Sequence, residues 1–394
     1  MTKAKIIHLI TRLEPGGSSQ NTIDSCIFQS KRFQVMLARG PCEKEPENLP
    51  LKLCLIPHLR REINFFCDLL AFVEIYQLLA REKPDILHTH TSKAGALGRL
   101  AAAFQSGGSR GRKVLVVHTP HGHVFYGYFG KIKSMLFILA EKFLSRFTSC
   151  LIALSKGEKQ ESLTFGIKGR WEVVHSGVTL KRGNFTDVKT ELGLRGKTVG
   201  TVARLEKVKG VEYLIRAANI IKNSGVSLEF LIVGDGHLRK KLEKLSTKLN
   251  VNEIIKFVGF QNEVFKYIAA MDIYVQPSLN EGLGRSIIEA QYLGKPVIAF
   301  SVCGIKDLVV HGRNGFLIKP GDFSVLAEHI KIMAGNEVLR KNMGEYARKF
   351  VRQKDNVSSY SRFSVESMNI KLEILYNKIL AERRDNAQNI SSRR

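Results

Sequence analysis

The stretch Ile273-Tyr-Val-Gln-Pro-Ser-Leu-Asn-Glu281-Gly-Leu-Gly-Arg-Ser-Ile-Ile-Glu289 holds a strand, a loop and a helix in one short reading frame. Ile273–Gln276 is a short apolar run, the loop continues to Asn280, and a glycine-rich turn opens a helix that reaches to about Leu293. Gly282 and Gly284 at the helix start let backbone N–H groups approach an anion, and the helix N-terminus favours negative charge. Glu281 stands just outside the helix and Glu289 on its second turn. A carboxylate at 289 can accept hydrogen bonds from a vicinal diol such as a ribose, and one at 281 can hold sugar hydroxyls. A capped helix with two surface glutamates also fits this spacing.

Outward from this unit the same alternation fills the chain. Apolar runs recur at Ile6–Ile10, Gln34–Leu37, Asp85–His90, Val114–His118, Cys150–Leu154 and Trp171–His175, separated by helical patterns such as Phe65–Arg81 and Lys93–Phe104. Runs without strict polar alternation suit strands covered on both faces of a parallel sheet, and strand–helix alternation argues for βαβ units. A polar stretch, Thr179–Lys197, precedes a second series: Val199–Ala203, Leu228–Val233, Ile255–Val258, Ile273–Gln276, Val297–Phe300 and Phe316–Ile318. The expected class is α/β, with two doubly wound Rossmann-like domains. Residues 1–178 form the first, 179–197 a linker and 198–350 the second. Residues 351–394 form a helical segment crossing back to the first domain, with a tail frayed from Asn386. Loops at the strand C-termini of two such domains would line a shared cleft.

Composition narrows the partners. The 394 residues carry 61 Lys+Arg against 36 Asp+Glu, a net charge of +25, which draws the chain toward something anionic. Nucleic acid is disfavoured, because no zinc finger, RNP-like motif or helix of base-reading residues is present. The six cysteines (26, 42, 54, 67, 150 and 303) show no CxxC pair, so a reducing cytoplasm fits. The opening residues read as a first strand and its loop rather than a signal peptide. No apolar stretch approaches the roughly 18–20 residues of a spanning helix.

Several motifs stand in register with the first. They are Glu14-Pro-Gly-Gly17, His88-Thr-His90, Thr119-Pro-His-Gly122, Val173–Gly177, Val202–Gly210, Val233-Gly-Asp-Gly236, Phe257-Val-Gly259 and Asn314-Gly-Phe-Leu317. Together with Glu281–Glu289 the chain resembles, over nearly its whole length, the large retaining glycosyltransferase family that includes sucrose synthases, mannosyltransferases and bacterial polysaccharide and lipopolysaccharide transferases. The resemblance implies the two-Rossmann GT-B fold and a nucleotide-sugar donor. It also implies that Arg204 and Lys209 neutralise the departing nucleoside diphosphate, where stabilising developing charge counts most. It puts Gly17 in a loop closing over the donor, the Gly282, Leu283 and Gly284 amides with Glu281 on the sugar, Glu289 on the ribose and His121 beside the transferring sugar. Family members carry a second Gly at position 303, Pro at 306 and Glu at 307, where this chain has Cys303, Lys306 and Asp307. Sugar identity is therefore not carried over.

Read without the family, Arg204 and Lys209 can reach a diphosphate from a strand end and a helix start. Gly234-Asp-Gly236 is a turn shaping the cleft, since no full GxGxxG follows. Gly196-Lys-Thr198 is no P-loop, since Glu191 stands where its first Gly belongs. His88, His90, His118, His121 and His123 cluster, but no carboxylate or Cys falls at useful spacing, and no metal or other cofactor is expected. His88 and His90 share a strand face, as packing or cleft-lining residues. Lys131–Phe147 joins a broad apolar face to a basic rim, either a core-facing helix or a surface for anionic lipid. Arg60-Arg61, Lys93, Arg99 and Arg110-Gly-Arg-Lys113 add charge to the same half.

The expected function is transfer of a hexose or N-acetylhexosamine from a UDP-sugar (GDP as the lesser choice) to a glycan or lipid-linked acceptor in cell-surface polysaccharide synthesis, with retention. The expected location is cytoplasmic, peripheral on the inner face of the membrane. A nucleotide-sugar epimerase on the same fold and a non-enzymatic anionic-polymer binder are the alternatives.

Overall fold

A computed structural model describes residues 3–14, 16–42, 49–106, 113–122, 130–180, 183 and 188–391. His123, Arg110 and Arg112, named above, lie outside them. The chain divides into two compact units, one of Met1–Gly177 with Val365–Arg394 and one of Val178–Ser364.

Among the described residues the first unit holds seven strands: β1 (Lys5–Ile10), β2 (Gln34–Arg39), β3 (Lys52–Leu55), β4 (Ile86–His90), β5 (Leu115–Thr119), β6 (Cys150–Ala153) and β7 (Trp171–Val173). All pair in parallel, in the order β3-β2-β1-β4-β5-β6-β7. The order reverses direction at β1, so β1 and β4 flank the switch point where such sheets place ligands. The apolar runs expected as strands form strands here. β3 is the addition: a four-residue edge strand, largely exposed, whose Lys52 and short apolar content give no buried-strand pattern.

The crossovers include α1 (Gly17–Gln29), α2 (Phe65–Glu82), α3 (Ser92–Ser106) and α4 (Lys131–Leu144). Asn64 caps α2 by accepting from the Cys67 amide at 3.0 Å, and Lys83 ends it in the left-handed region. Small residues let α3 lie close on the sheet. A Cβ added at Gly95 would sit 2.3 Å from the His118 ring. The other sheet face is closed by the helix Val365–Ser391, whose Met368, Leu372, Leu375, Tyr376 and Ile379 join Ile6, Ile86, Val117 and Ile152 in one core. The return to this unit begins at Val365 and not at 351. The helix continues through Asn386 as far as Ser391, with no glycine or proline to interrupt it.

The second unit holds β8 (Thr198–Val202), β9 (Glu229–Val233), β10 (Ile255–Gly259), β11 (Ile273–Gln276), β12 (Val297–Phe300) and β13 (Gly315–Ile318). They form a parallel sheet in the order β10-β9-β8-β11-β12-β13, reversing at β8 beside β11. β11 and β12 are buried along their full length, as strands covered on both faces must be.

Candidate functional site

In the second unit the chemistry gathers where β8 and β11 end. After β8, Lys207–Lys209 makes one short 3-10 turn that docks on the loop after β11: Leu279 N donates to Val208 O at 2.8 Å. Gly210 permits the contact, since its φ is +61° and an added Cβ would fall 2.0 Å from Pro277 O. The docking presents Lys209 Nζ to Glu281 Oε1 at 2.6 Å. That same oxygen accepts from Ser278 Oγ at 3.0 Å and Gln276 Nε2 at 3.1 Å. Gln276 is oriented in turn by Tyr274 and Ser286, whose hydroxyls lie 2.8 and 3.2 Å from its Oε1. Burial pushes the Tyr274 phenol up, so it stays a donor at neutral pH.

The glycine-rich turn follows directly. Gly284, with φ +87°, precedes the first residue of the helix Arg285–Tyr292, so its conformation favours glycine. Leu283 is buried, so the backbone amide, not the side chain, is what that residue offers a ligand. From behind, Gly304 N donates to Glu281 O at 3.1 Å, and a Cβ at Gly304 would lie 2.1 Å from Gly282 O. The loop carrying Cys303, Lys306 and Asp307 therefore buttresses the turn. Glu289 keeps partial solvent access, yet desolvation pushes its carboxyl up to about 7, against the opposing pull of Arg285. Arg204 is half exposed and pairs with Glu206 at 3.0 Å. Close approach of Gly234 to Ala203 O, 2.0 Å from a hypothetical Cβ, ties the Gly234-Asp-Gly236 turn to the backbone that carries Arg204. Lys209, Glu281 and the glycine turn are thus brought together, while Arg204 stands with its own partner.

The first unit has its own cluster, running from within β1 and β4 to the turn after β5. His8 Nδ1 lies 2.9 Å from His90 Nε2, and His90 Nδ1 lies 2.9 Å from His121 Nε2. His8 Nε2 lies 2.9 Å from Gln29 Oε1, and His88 bridges Tyr376 Oη at 2.5 Å and Thr119 Oγ1 at 2.8 Å. Burial lowers His8 to about 4 and holds His88, His90 and His118 well below the usual imidazole range. His88 and His90 are satisfied, buried residues. His121 takes φ +57°, an uncommon conformation for a side-chain-bearing residue and one concentrated at functional sites. The turn is pinned by Glu158, fully buried, which accepts from Gly122 N at 2.9 Å and Leu154 N at 2.6 Å. Gly17 is exposed at the first residue of α1, where helix amides lack internal partners. Among the described residues, His8, His88 and His90 bring ligand-type atoms within 4.8 Å of one another, a grouping not foreseen because His8 lies on a different strand. Each of their ring nitrogens already faces a protein partner.

Two expectations about charge change. Arg99 is fully buried, holding Glu141 through two contacts of 2.9 and 2.7 Å, so it is no part of a basic surface. Lys93 is mostly covered and paired with Asp68 at 2.6 Å. The apolar face of α4, in contrast, turns to the core only in part: Ile138 packs on the core of Leu151, Ala153, Ile167 and Trp171, and of its residues only Ser134 and Leu144 are buried.

A family model of glycosyl transferases group 1 matches residues 185–350, and one of glycosyltransferase family 4 matches residues 29–182. A UDP-Gal:alpha-D-GlcNAc-diphosphoundecaprenol alpha-1,3-galactosyltransferase of Escherichia coli is 33% identical over 72% of this chain and 75% of its own length. The chain belongs to the group 1 glycosyl transferases. The capsular polysaccharide biosynthesis glycosyltransferase CapM of Staphylococcus aureus matches this transferase at 26% identity over 97% of the chain and 99% of the relative. Its fold is that of Anabaena HepE crystallised with UDP-glucose, with a TM-score of 0.78 and 22% identity over 95% of this chain and 99% of that one. The architecture is GT-B, and the transferase is a retaining hexosyltransferase related to enzymes of capsule and polysaccharide synthesis. Among its described residues no helix is long and apolar enough to cross a membrane.

Gln276, Ser278, Tyr274 and Glu158 escape a motif reading. Gln276 had one signal, a polar residue closing an otherwise apolar buried strand. Glu158 had none beyond its place in the first turn of a helix capped by Ser155.

Proposed function

We propose that this transferase moves a hexose or N-acetylhexosamine from a UDP-sugar to a lipid-linked glycan acceptor, retaining the anomeric configuration. The observation that carries the reading is the Lys209–Glu281 pair set against the Gly282–Gly284 turn at the start of a helix. A cation, a carboxylate and backbone amides side by side are the groups that binding a sugar diphosphate would use, which supports the reading. In this reading Glu281 and the Gly282, Leu283 and Gly284 amides hold the sugar, and Glu289 holds the ribose. Lys209 and Arg204 take up charge on the leaving diphosphate, which itself assists front-side attack by the acceptor. His121 acts on the transferred sugar and Gly17 on the donor. No protein nucleophile and no metal is assigned. The UDP donor and the polyprenyl-diphosphate acceptor class are argued from the Escherichia coli relative, whose name specifies both.

On the acceptor side the reading adds contact with an anionic membrane surface on the cytoplasmic face. Helix α4 exposes Ile132, Met135, Leu136, Leu139 and Phe143 beside the exposed Lys131, Lys133 and Arg146. Helix α2 exposes Phe65, Phe66, Leu69 and Leu70, with both phenylalanines about three-quarters accessible. An apolar face with a cationic rim suits the headgroup boundary. The test is incubation of the purified protein with individual UDP- and GDP-sugars and a sugar-diphosphate-polyprenol acceptor. Product carrying the added sugar in unchanged anomeric form supports the reading. Donor turnover into an isomeric nucleotide-sugar without acceptor would replace it with epimerisation.

A further inference from the structure

The histidines of the first unit form more than a cluster, because their hydrogen bonds have a direction. A main-chain carbonyl can only accept. Asn369 sets its side-chain amide against Val365 O at 2.9 Å, so it must present Nδ2 there and leave Oδ1 facing away. That oxygen meets Gln29 Nε2 at 3.4 Å, which turns Gln29 Oε1 toward His8 Nε2 at 2.9 Å. His8 must therefore donate from Nε2 and accept at Nδ1. The same logic repeats across the 2.9 Å contact to His90 and the 2.9 Å contact to His121. Each imidazole in the series carries its proton on Nε2. A proton added to any interior ring would set two N–H groups face to face, and burial keeps His8 and His90 neutral. The direction is thus imposed by one carbonyl at the start of the helix Val365–Ser391.

We propose that Gln29, Asn369, His8 and His90 form a polarised relay that fixes His121 as its Nε2–H tautomer, so that Nδ1 carries the lone pair and meets the substrate as a hydrogen-bond acceptor. The claim that the substrate group is a sugar hydroxyl rests on the function proposed above. The tautomer itself does not. Gln29 and Asn369 are positioning residues: they touch no substrate, yet they decide which side of His121 offers a lone pair. An acceptor nitrogen selects a donor sugar that presents a hydroxyl proton to it.

Long-range nitrogen–proton correlation spectra of protein labelled with ring-15N histidine test this without turnover. Wild-type His8, His90 and His121 are expected as Nε2–H tautomers. Asn369→Leu removes the anchor, lets the Gln29 amide turn over, and is expected to mix both tautomers at all three rings. Its kcat should fall about tenfold with donor KM little changed, the lower end of the loss seen when the partner that orients a metal-bound histidine is removed. Leu372→Ala, an apolar truncation on the same helix, should loosen the core and leave the tautomers pure. A wild-type Nδ1–H His121, an Asn369→Leu spectrum unchanged from wild type, or equal scrambling in Leu372→Ala overturns the relay. So does stoichiometric metal in the purified protein with metal-shifted His8, His88 and His90 nitrogens. Failure of the transferase reading would look different: the tautomers as stated, but no sugar transferred by the wild type.

Discussion

Lys209 Nζ lies 2.6 Å from Glu281 Oε1, and the two side chains are largely covered. The cation is therefore already engaged by Glu281, and in the proposed function an arriving diphosphate would draw on a charge that this carboxylate holds in place. Lys209→Ala is expected to cut transfer about 10²–10³-fold, the usual loss for one electrostatic stabiliser of a transition state. Its melting temperature should fall modestly, since Glu281 loses its counter-ion but keeps Gln276 and Ser278. Initial rates and thermal melts measure both. A Lys209→Ala enzyme with normal turnover would remove the lysine from its assigned role.

Glu289 gives a pH signature of defined sign. Its folded carboxyl titrates at about 7 against an ordinary 4.5, so between those values the folded state holds a proton that the unfolded chain has lost. Stability from this group falls as pH rises through that window, by about 3 kcal/mol in all. Glu289→Gln should be more stable than wild type at pH 8 and lose that advantage at pH 4, as read by denaturant melts. Because a diol binds best to the ionised carboxylate, UDP-sugar affinity should rise from pH 6 to 8 in wild type and stay flat in the variant. UDP-sugar is the right probe, since its diphosphate diester does not titrate in this range.

The buried histidines act oppositely in acid. His8 titrates at about 4 when folded against 6.5, so below 6.5 the unfolded chain takes up a proton the folded one refuses. Stability is full above pH 6.5 and is lost as pH falls toward 4, by about 3 kcal/mol from His8 alone. His88, His90 and His118 are shifted the same way and add to the loss. Urea midpoints at pH 7 and 5 should differ accordingly, and His8→Gln should shrink the difference.

Arg99 and Glu141 bind α3 to α4 through a guanidinium with no solvent exposure. Glu141→Gln leaves that charge buried without its counter-ion and should cost about 3–5 kcal/mol in denaturant melts. A loss below about 1 kcal/mol would mean water reaches the site.

On α4 itself, Leu136→Glu with Leu139→Glu alters two residues more than half exposed, at 58% and 51%. Folding stability should change by less than about 0.5 kcal/mol, as for surface positions generally. Sedimentation with vesicles containing anionic lipid should nonetheless drop sharply. Equal binding by the double variant would place the membrane contact elsewhere.

Much of this architecture is legible in residues. Buried parallel strands such as Ile273–Gln276 and Val297–Phe300 announce themselves because both faces need apolar side chains. The Glu281–Glu289 turn is legible because glycine, helix start and carboxylate sit within nine residues. What stays hidden is pairing across sequence distance. Arg99 reads as a surface charge until Glu141, 42 residues on, is folded against it. His8 reads as one residue of an apolar strand until parallel pairing sets it opposite His88. The apolar stripe of α4 reads as core because helices usually bury such stripes, and only packing reveals that most of it stays exposed while the Arg99–Glu141 ion pair, Ile138 and Leu144 hold the helix.

The helix Val365–Ser391 supplies core side chains to a unit whose other strands all precede residue 178. During synthesis the first sheet therefore emerges with one face covered by α1 only in part, and it waits for some 190 intervening residues, Val178–Ser364, before the rest of its cover arrives. The later-encoded unit is contiguous and can close first, a reversal of the common amino-to-carboxyl order of folding. Until then Ile6, Ile86, Val117 and Ile152 lack the Met368, Leu372, Leu375 and Ile379 side chains that complete their core.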